Sequence, residues 1–153
     1  MTMSESAQST FVYVTYIRTS AEKLWSALTK PEFARQYWFG MHMESEWQAG
    51  ASWKLLFTDG RIADTGQVLE VDPPRRLVLH WHNEFRPELK AEGPAKCIFE
   101  LEPSGEIVKL TITHSSVKPD SKVIVAVSGG WPKILSNLKS LLETGKPLTT
   151  DKL

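Results

Sequence analysis

Residues 121–145 read SKVIVAVSGGWPKILSNLKSLLETG. Within them Ile124, Val127, Trp131, Ile134, Leu138 and Leu141 recur at spacings of three and four, and Leu135 and Leu142 widen the stripe. That is the period of an α-helix with one apolar face. Gly129, Gly130 and Pro132 lie inside it. A proline removes one backbone donor and crowds the preceding turn, so a kink is expected there. Gly145 and Pro147 close the helix. A stripe this long needs a broad apolar surface to lie on, and the preceding residues supply it.

From Gly40 to His114 the texture is that of strands, expected at 42–47, 51–57, 63–72, 76–83, 95–102 and 106–115. Turn formers separate them: Ala49-Gly50, Asp59-Gly60, Asp72-Pro73-Pro74, Glu92-Gly93-Pro94 and Pro103-Ser104-Gly105. Short turns at this spacing indicate an antiparallel meander. Leu77, Leu79 and Trp81 share one face of their strand, as do Cys97, Phe99 and Leu101, and Val108, Leu110, Ile112 and His114. One face of the sheet is therefore apolar and must be covered, and the C-terminal helix is its cover. The connection from Asn83 to Pro94 is long, polar and carries Pro87 and Gly93, so it is expected to be a mobile loop.

Toward the N-terminus, Phe11 to Arg18 (FVYVTYIR) reads as a strand. Thr19 with Glu22 forms a capping box that opens a short helix over 20–28, with Leu24, Ala27 and Leu28 on one face. Pro31 starts a second short helix over 31–36. The plan is α+β: a curved antiparallel sheet of about seven strands wrapped around a long C-terminal helix, with two short helices after the first strand. It forms one domain over 10–146, between a disordered tail at 1–9 and a C-terminal tail at 147–153. One helix does not fill a wide curved sheet, so a cavity between the two is expected.

Composition limits the partners. The 153 residues hold 18 Lys plus Arg against 18 Asp plus Glu, a formal net charge of zero. A general nucleic-acid binder needs a surplus of positive charge, so none is expected. The single cysteine, Cys97, excludes an intramolecular disulfide and a cysteine zinc site. The polar start MTMSESAQST is not a signal peptide, and no apolar run approaches a membrane span. A cytoplasmic protein without membrane partners is expected. Six tryptophans and six phenylalanines are large flat side chains suited to lining a pocket.

Three runs carry a family resemblance: Ile17 to Glu32, Gly66 to Leu77, and Gly130-Trp131-Pro132 followed by Leu135, Leu138 and Leu142-Glu143-Thr144-Gly145. Together they resemble the START-like helix-grip superfamily, also called the polyketide cyclase, Bet v-like or SRPBCC group. Within it they are similar to the branch named after the C-terminal domain of the activator of heat-shock-protein-90 ATPase. The resemblance covers residues 11–145. It implies the helix-grip fold and a deep apolar pocket, and it implies chaperone contact by name. It implies no single chemistry, because the superfamily holds carriers, cyclases, hydroxylase domains and co-chaperone domains.

The pocket residues expected are Trp38, Trp53, Phe57, Trp81, Phe99, His114 and Trp131. Each aromatic alone reads first as core; as a set facing a glycine–proline helix they read as a lining for a hydrophobic or aromatic ligand. His114 ends an apolar register. It is either a structural histidine or a neutral polar group at the pocket end, and it is the first acid or base to consider if a reaction occurs. A cyclase-, hydrolase- or isomerase-like enzyme using the same cavity is therefore kept beside the binding module and the chaperone-interacting regulator.

No cofactor and no metal are expected. His80 and His82 share a strand face, but Pro74, Arg86 and Pro87 stand where a cupin-type metal site needs Gly and Glu, and both rings point away from the cavity. Arg75-Arg76 reads as a charged turn, Glu84, Glu88 and Glu92 as solvating charge on the loop, and Cys97 as a buried inert thiol. Ser115-Ser116 beside His114 does not make a triad by adjacency. Outward Val12, Val14 and Tyr16 leave a surface for a partner or a homodimer.

Overall fold

The computed structural model describes residues 6–151. Strand β1 (Ser9–Arg18) leads into α1 (Ala21–Thr29) and α2 (Pro31–Tyr37). Strands β2 (His42–Ser45), β3 (Ser52–Leu56), β4 (Ile62–Asp72) and β5 (Arg76–Asn83) follow. A short helix α3 (Pro87–Lys90) then precedes β6 (Ala95–Ser104), β7 (Ile107–Ser116) and the long helix α4 (Lys122–Thr144). The seven strands form one sheet in the order β1-β7-β6-β5-β4-β3-β2, with every neighbouring pair antiparallel. This is the α+β helix-grip arrangement expected: β1 closes onto β7, and the meander from β2 to β7 runs between.

The alternation also holds. In β7 every second residue is buried, from Val108 through Leu110 and Ile112 to His114. In β6 the buried register is Cys97, Phe99 and Leu101. Val12, Val14 and Tyr16 on β1 face outward and are exposed. Leu135, Leu138 and Leu141 press α4 against this inner face. The C-terminal half of α4 is tied to β1 by polar contacts as well: the Arg18 backbone N–H donates to Glu143 at 2.8 Å, and Lys139 Nζ donates to Tyr16 O. Glu143 is held below the usual carboxylate range by the Lys139 ammonium and the Arg18 N–H.

Three local features differ from the sequence expectation. The cap of α1 is Ser20, whose hydroxyl accepts from Lys23 N at 3.2 Å, one residue later than the Thr19 box. The loop from Asn83 to Pro94 is not featureless: it contains α3, and Leu89 packs with Ala95 and Val123 into a small second core. That apolar anchor was a single leucine among charges, too weak a period to read as a helix. At the chain ends, most of the expected N-terminal tail lies outside the described residues, and Ser9 already belongs to β1. Thr149 is bound by buried Asn137, which donates to Thr149 O and accepts from Thr149 N, both at 3.0 Å.

Glycine is required where side chains cross the sheet. Trp53 reaches over Gly66 to donate its indole N–H to His80 O at 2.9 Å. A Cβ on Gly66 would lie 1.8 Å from that same carbonyl oxygen and 2.6 Å from Trp53 Nε1. No helix among the described residues is long and apolar enough to cross a membrane.

Candidate functional site: an indole-walled cavity with one carboxyl

Between the N-terminal half of α4 and strands β3–β5 lies a cavity of about 280 Å³. Its sheet wall is Leu55, Asp64, Trp81 and Asn83. Its helix wall is Val123, Ala126, Val127, Gly130, Trp131 and Ile134. Trp38 and Met41, just after α2, and Phe85, Arg86 and Leu89, around α3, complete the lining. The location follows from how α4 is held. Its C-terminal half is bound to β1, whereas its N-terminal half reaches β3–β5 only through side chains. At Gly130 there is no side chain, and a Cβ built there would meet nothing within 4 Å.

Three of the expected pocket residues, Trp38, Trp81 and Trp131, line this cavity. They pack on one another, with ring centroids 6.3 Å apart for Trp38–Trp81, 5.5 Å for Trp38–Trp131 and 5.6 Å for Trp81–Trp131. Trp53, Phe99 and His114 stand behind them: Trp53 lies 4.6 Å from Trp81, Phe99 5.7 Å from Trp131 and His114 5.4 Å from Trp81. Phe57 stands apart, half-buried beneath Arg61 and edge-on to Phe85 at 5.1 Å.

His114 is fully buried and accepts the indole N–H of Trp131 on Nδ1 at 3.1 Å. Because indole only donates, the proton of the neutral ring is on Nε2. That atom is buried without a partner. Burial pushes the imidazole pKa down to about 3, so the ring is neutral across the physiological range.

The cavity also holds a residue that the sequence reading passed over. Asp64 is 7% exposed, lines the wall, and has no hydrogen-bond partner on Oδ1. Burial raises its pKa to about 7, with the side chains of Trp81 and Asn83 offsetting part of the shift. It therefore titrates near neutrality inside a mainly apolar space. The signal was present: Asp64, Gly66 and Val68 share the inward register of β4, and an aspartate there is out of place. The weak alternation of β4 hid it, because Ala63 on the opposite register is buried too.

The other polar candidates from the sequence do not line this cavity. His80 is exposed, and His82 contacts Glu84 at 3.1 Å and Lys90 O at 3.0 Å. Among the described residues no group of three His, Cys, Asp or Glu side chains is placed to hold a metal ion. Glu92 accepts from Ser121 Oγ and from Lys122 N, fastening the loop to the start of α4. Arg76 bridges Glu70 and Glu100, Arg75 pairs with Asp72, and Cys97 is buried, which raises its thiol pKa.

Residues 18–143 match the family described as Activator of Hsp90 ATPase homolog 1-like protein. No curated protein sequence matches the chain. Among solved structures, a protein from Mesorhizobium loti is similar with a TM-score of 0.74 and 25% identity, over 88% of this chain and 96% of that one. CalU16 from Micromonospora echinospora is similar with a TM-score of 0.71 and 18% identity, over 89% and 77%. An Hsp90 activator from Plasmodium falciparum is similar with a TM-score of 0.70 and 19% identity, over 87% and 95%.

Proposed function

Because the chain belongs to the Activator of Hsp90 ATPase homolog 1-like family, a helix-grip family, we propose that it is a cytoplasmic binding protein that takes one small, flat, largely apolar molecule into the cavity between α4 and β3–β5. The observation that carries this reading is the space over Gly130, walled by Trp38, Trp81 and Trp131. Large aromatic surfaces around a preformed concavity are the usual makings of a small-molecule site. The placement of His114 supports binding over turnover: its Nδ1 is occupied by Trp131, and its lowered pKa makes the imidazole a poor base near pH 7.

The test is native mass spectrometry of the purified protein, with extraction of what travels with it, beside a Gly130→Leu variant. The leucine side chain fills the free space. Co-purification with the wild type and its loss in the variant are expected. A thermal-shift screen of hydrophobic metabolites in which no compound distinguishes the two proteins overturns the reading.

A second reading is contact with an Hsp90-type chaperone. It is supported by the family and by the similar fold of the Plasmodium falciparum Hsp90 activator. It predicts a change in chaperone ATPase rate on addition of this protein; an unchanged rate together with no co-sedimentation removes it. The exposed outer face of edge strand β1, with Val12, Val14 and Tyr16, supports a homodimer. Sedimentation velocity tests this, with a concentration-independent monomer as the opposing result.

A further inference from the structure

We infer that the ligand carries a protonated amine, which docks on Asp64 while its flat body lies against the indoles of Trp38, Trp81 and Trp131. The inference rests on the cavity reading above and names the chemical class that the cavity selects.

A buried carboxylate is costly unless a charge or several donors meet it. Asp64 has only partial compensation, from Trp81 and Asn83, and its Oδ1 is left over. Among the described residues no cation fills that gap. Arg86, the guanidinium at the cavity rim, is held by Glu88 through two hydrogen bonds of 3.1 and 2.8 Å. His82 and Lys90 are both engaged by Glu84, at 3.1 and 3.2 Å. Once Asp64 ionises, the cavity thus holds a negative charge with no counter-charge among the described residues. The walls favour the same ligand, because indole faces attract cations through their ring quadrupole and stack on flat apolar bodies. A neutral ligand would gain the stacking and leave the ionised carboxylate unpaired.

The charged and titratable groups near Asp64 are few. Strand β5 and the residue after it bring His82 and Glu84, which act on Asp64 in opposite directions. The loop before α3 brings Arg86. The cavity-lining residues of α4, β3 and α3 carry no titratable group. A pH response of amine binding centred near 7 therefore belongs to Asp64, and an Asp64→Asn variant separates it from His82.

The experiment is calorimetric titration with 2-phenylethylamine and with its neutral analogue 2-phenylethanol, at pH 8.5 and 5.5. The wild type and Asp64→Asn are compared, and thermal melting checks that the variant folds. At pH 8.5 the amine is expected to bind the wild type at least about tenfold tighter than the alcohol, a typical gain for restoring a buried charge pair. At pH 5.5, with the carboxyl about 97% protonated, amine affinity is expected to drop about thirtyfold and alcohol affinity to hold. In Asp64→Asn the preference disappears. Equal binding of amine and alcohol, or a preference that survives Asp64→Asn, overturns this inference and leaves the cavity reading standing. If neither probe binds the wild type, both fall. If the variant does not fold, the wild-type comparison of amine with alcohol at pH 8.5 decides alone, and equal binding there overturns the inference.

Discussion

The indole N–H of Trp131 and Nδ1 of His114 are joined by a 3.1 Å hydrogen bond that links α4 to β7, with both side chains buried. One contact sets the depth of the helix over the sheet, selects the histidine tautomer, and aims one face of the indole at the cavity. Burial makes His114 a poor base, and the bond to Trp131 makes it an anchor.

Trp131→Phe keeps an aromatic ring, smaller than the indole, and deletes the donor. His114 then has no partner on either nitrogen. Leaving a buried polar group unpaired costs about 1–3 kcal/mol. Urea denaturation is expected to show a loss of that size, and a change below about 0.5 kcal/mol would contradict the anchoring role.

His114 also makes stability pH-dependent. Its pKa is about 3 in the folded protein and near 6.5 when unfolded, so between these values the unfolded chain binds the extra proton. Its contribution is complete above about pH 6.5 and is lost as pH falls toward 3. His114→Gln keeps an acceptor for Trp131 without titrating. Urea midpoints across pH 3–8 are expected to fall less steeply on the acid side in this variant; identical acid limbs would refute the assignment.

Asp64 acts with the opposite sign. Its folded pKa of about 7 lies above its ordinary value near 3.8, so the folded protein binds the extra proton between the two. Its contribution to stability is greatest below about pH 4 and declines as pH rises through 7. The stability of Asp64→Asn relative to the wild type is expected to increase from pH 4 to 7 and level off above. The same urea series reads this, and a gap independent of pH would show that the carboxyl is not buried as described.

Two glycines should respond in opposite ways to alanine. At Gly66 the added Cβ falls 1.8 Å from His80 O, a backbone atom that gives way only with the strand. Loss of more than about 3 kcal/mol, or failure to fold, is expected. At Gly130 the Cβ enters open space, and alanine is the better helix former by about 1 kcal/mol. Thermal melts of the two variants should therefore move in opposite directions.

Most of the fold was legible because its signals are local. The spacings of three and four from Ile124 to Leu141 specify α4 without reference to any partner, and the alternations in β6 and β7 specify which face is inner. The strands lie close to their expected positions because turn formers separate them. The cap at Ser20 and the helix α3 were misplaced or missed, since each depends on one or two side chains rather than on a period.

The candidate site was legible only in part. Trp38, Trp81 and Trp131 stood out as large aromatics, but nothing along the chain separates them from Trp53 and Phe99, which pack behind them. Asp64 was missed altogether. The sequence by itself determined the elements, their apolar faces and the need for a helix over the sheet, because periodicity is written in neighbouring residues. Only the tertiary structure decided where the helix leaves the sheet, which indoles face the gap, and that Asp64 stands on its wall. A cavity is the volume left between elements far apart in sequence, and no local pattern records that difference.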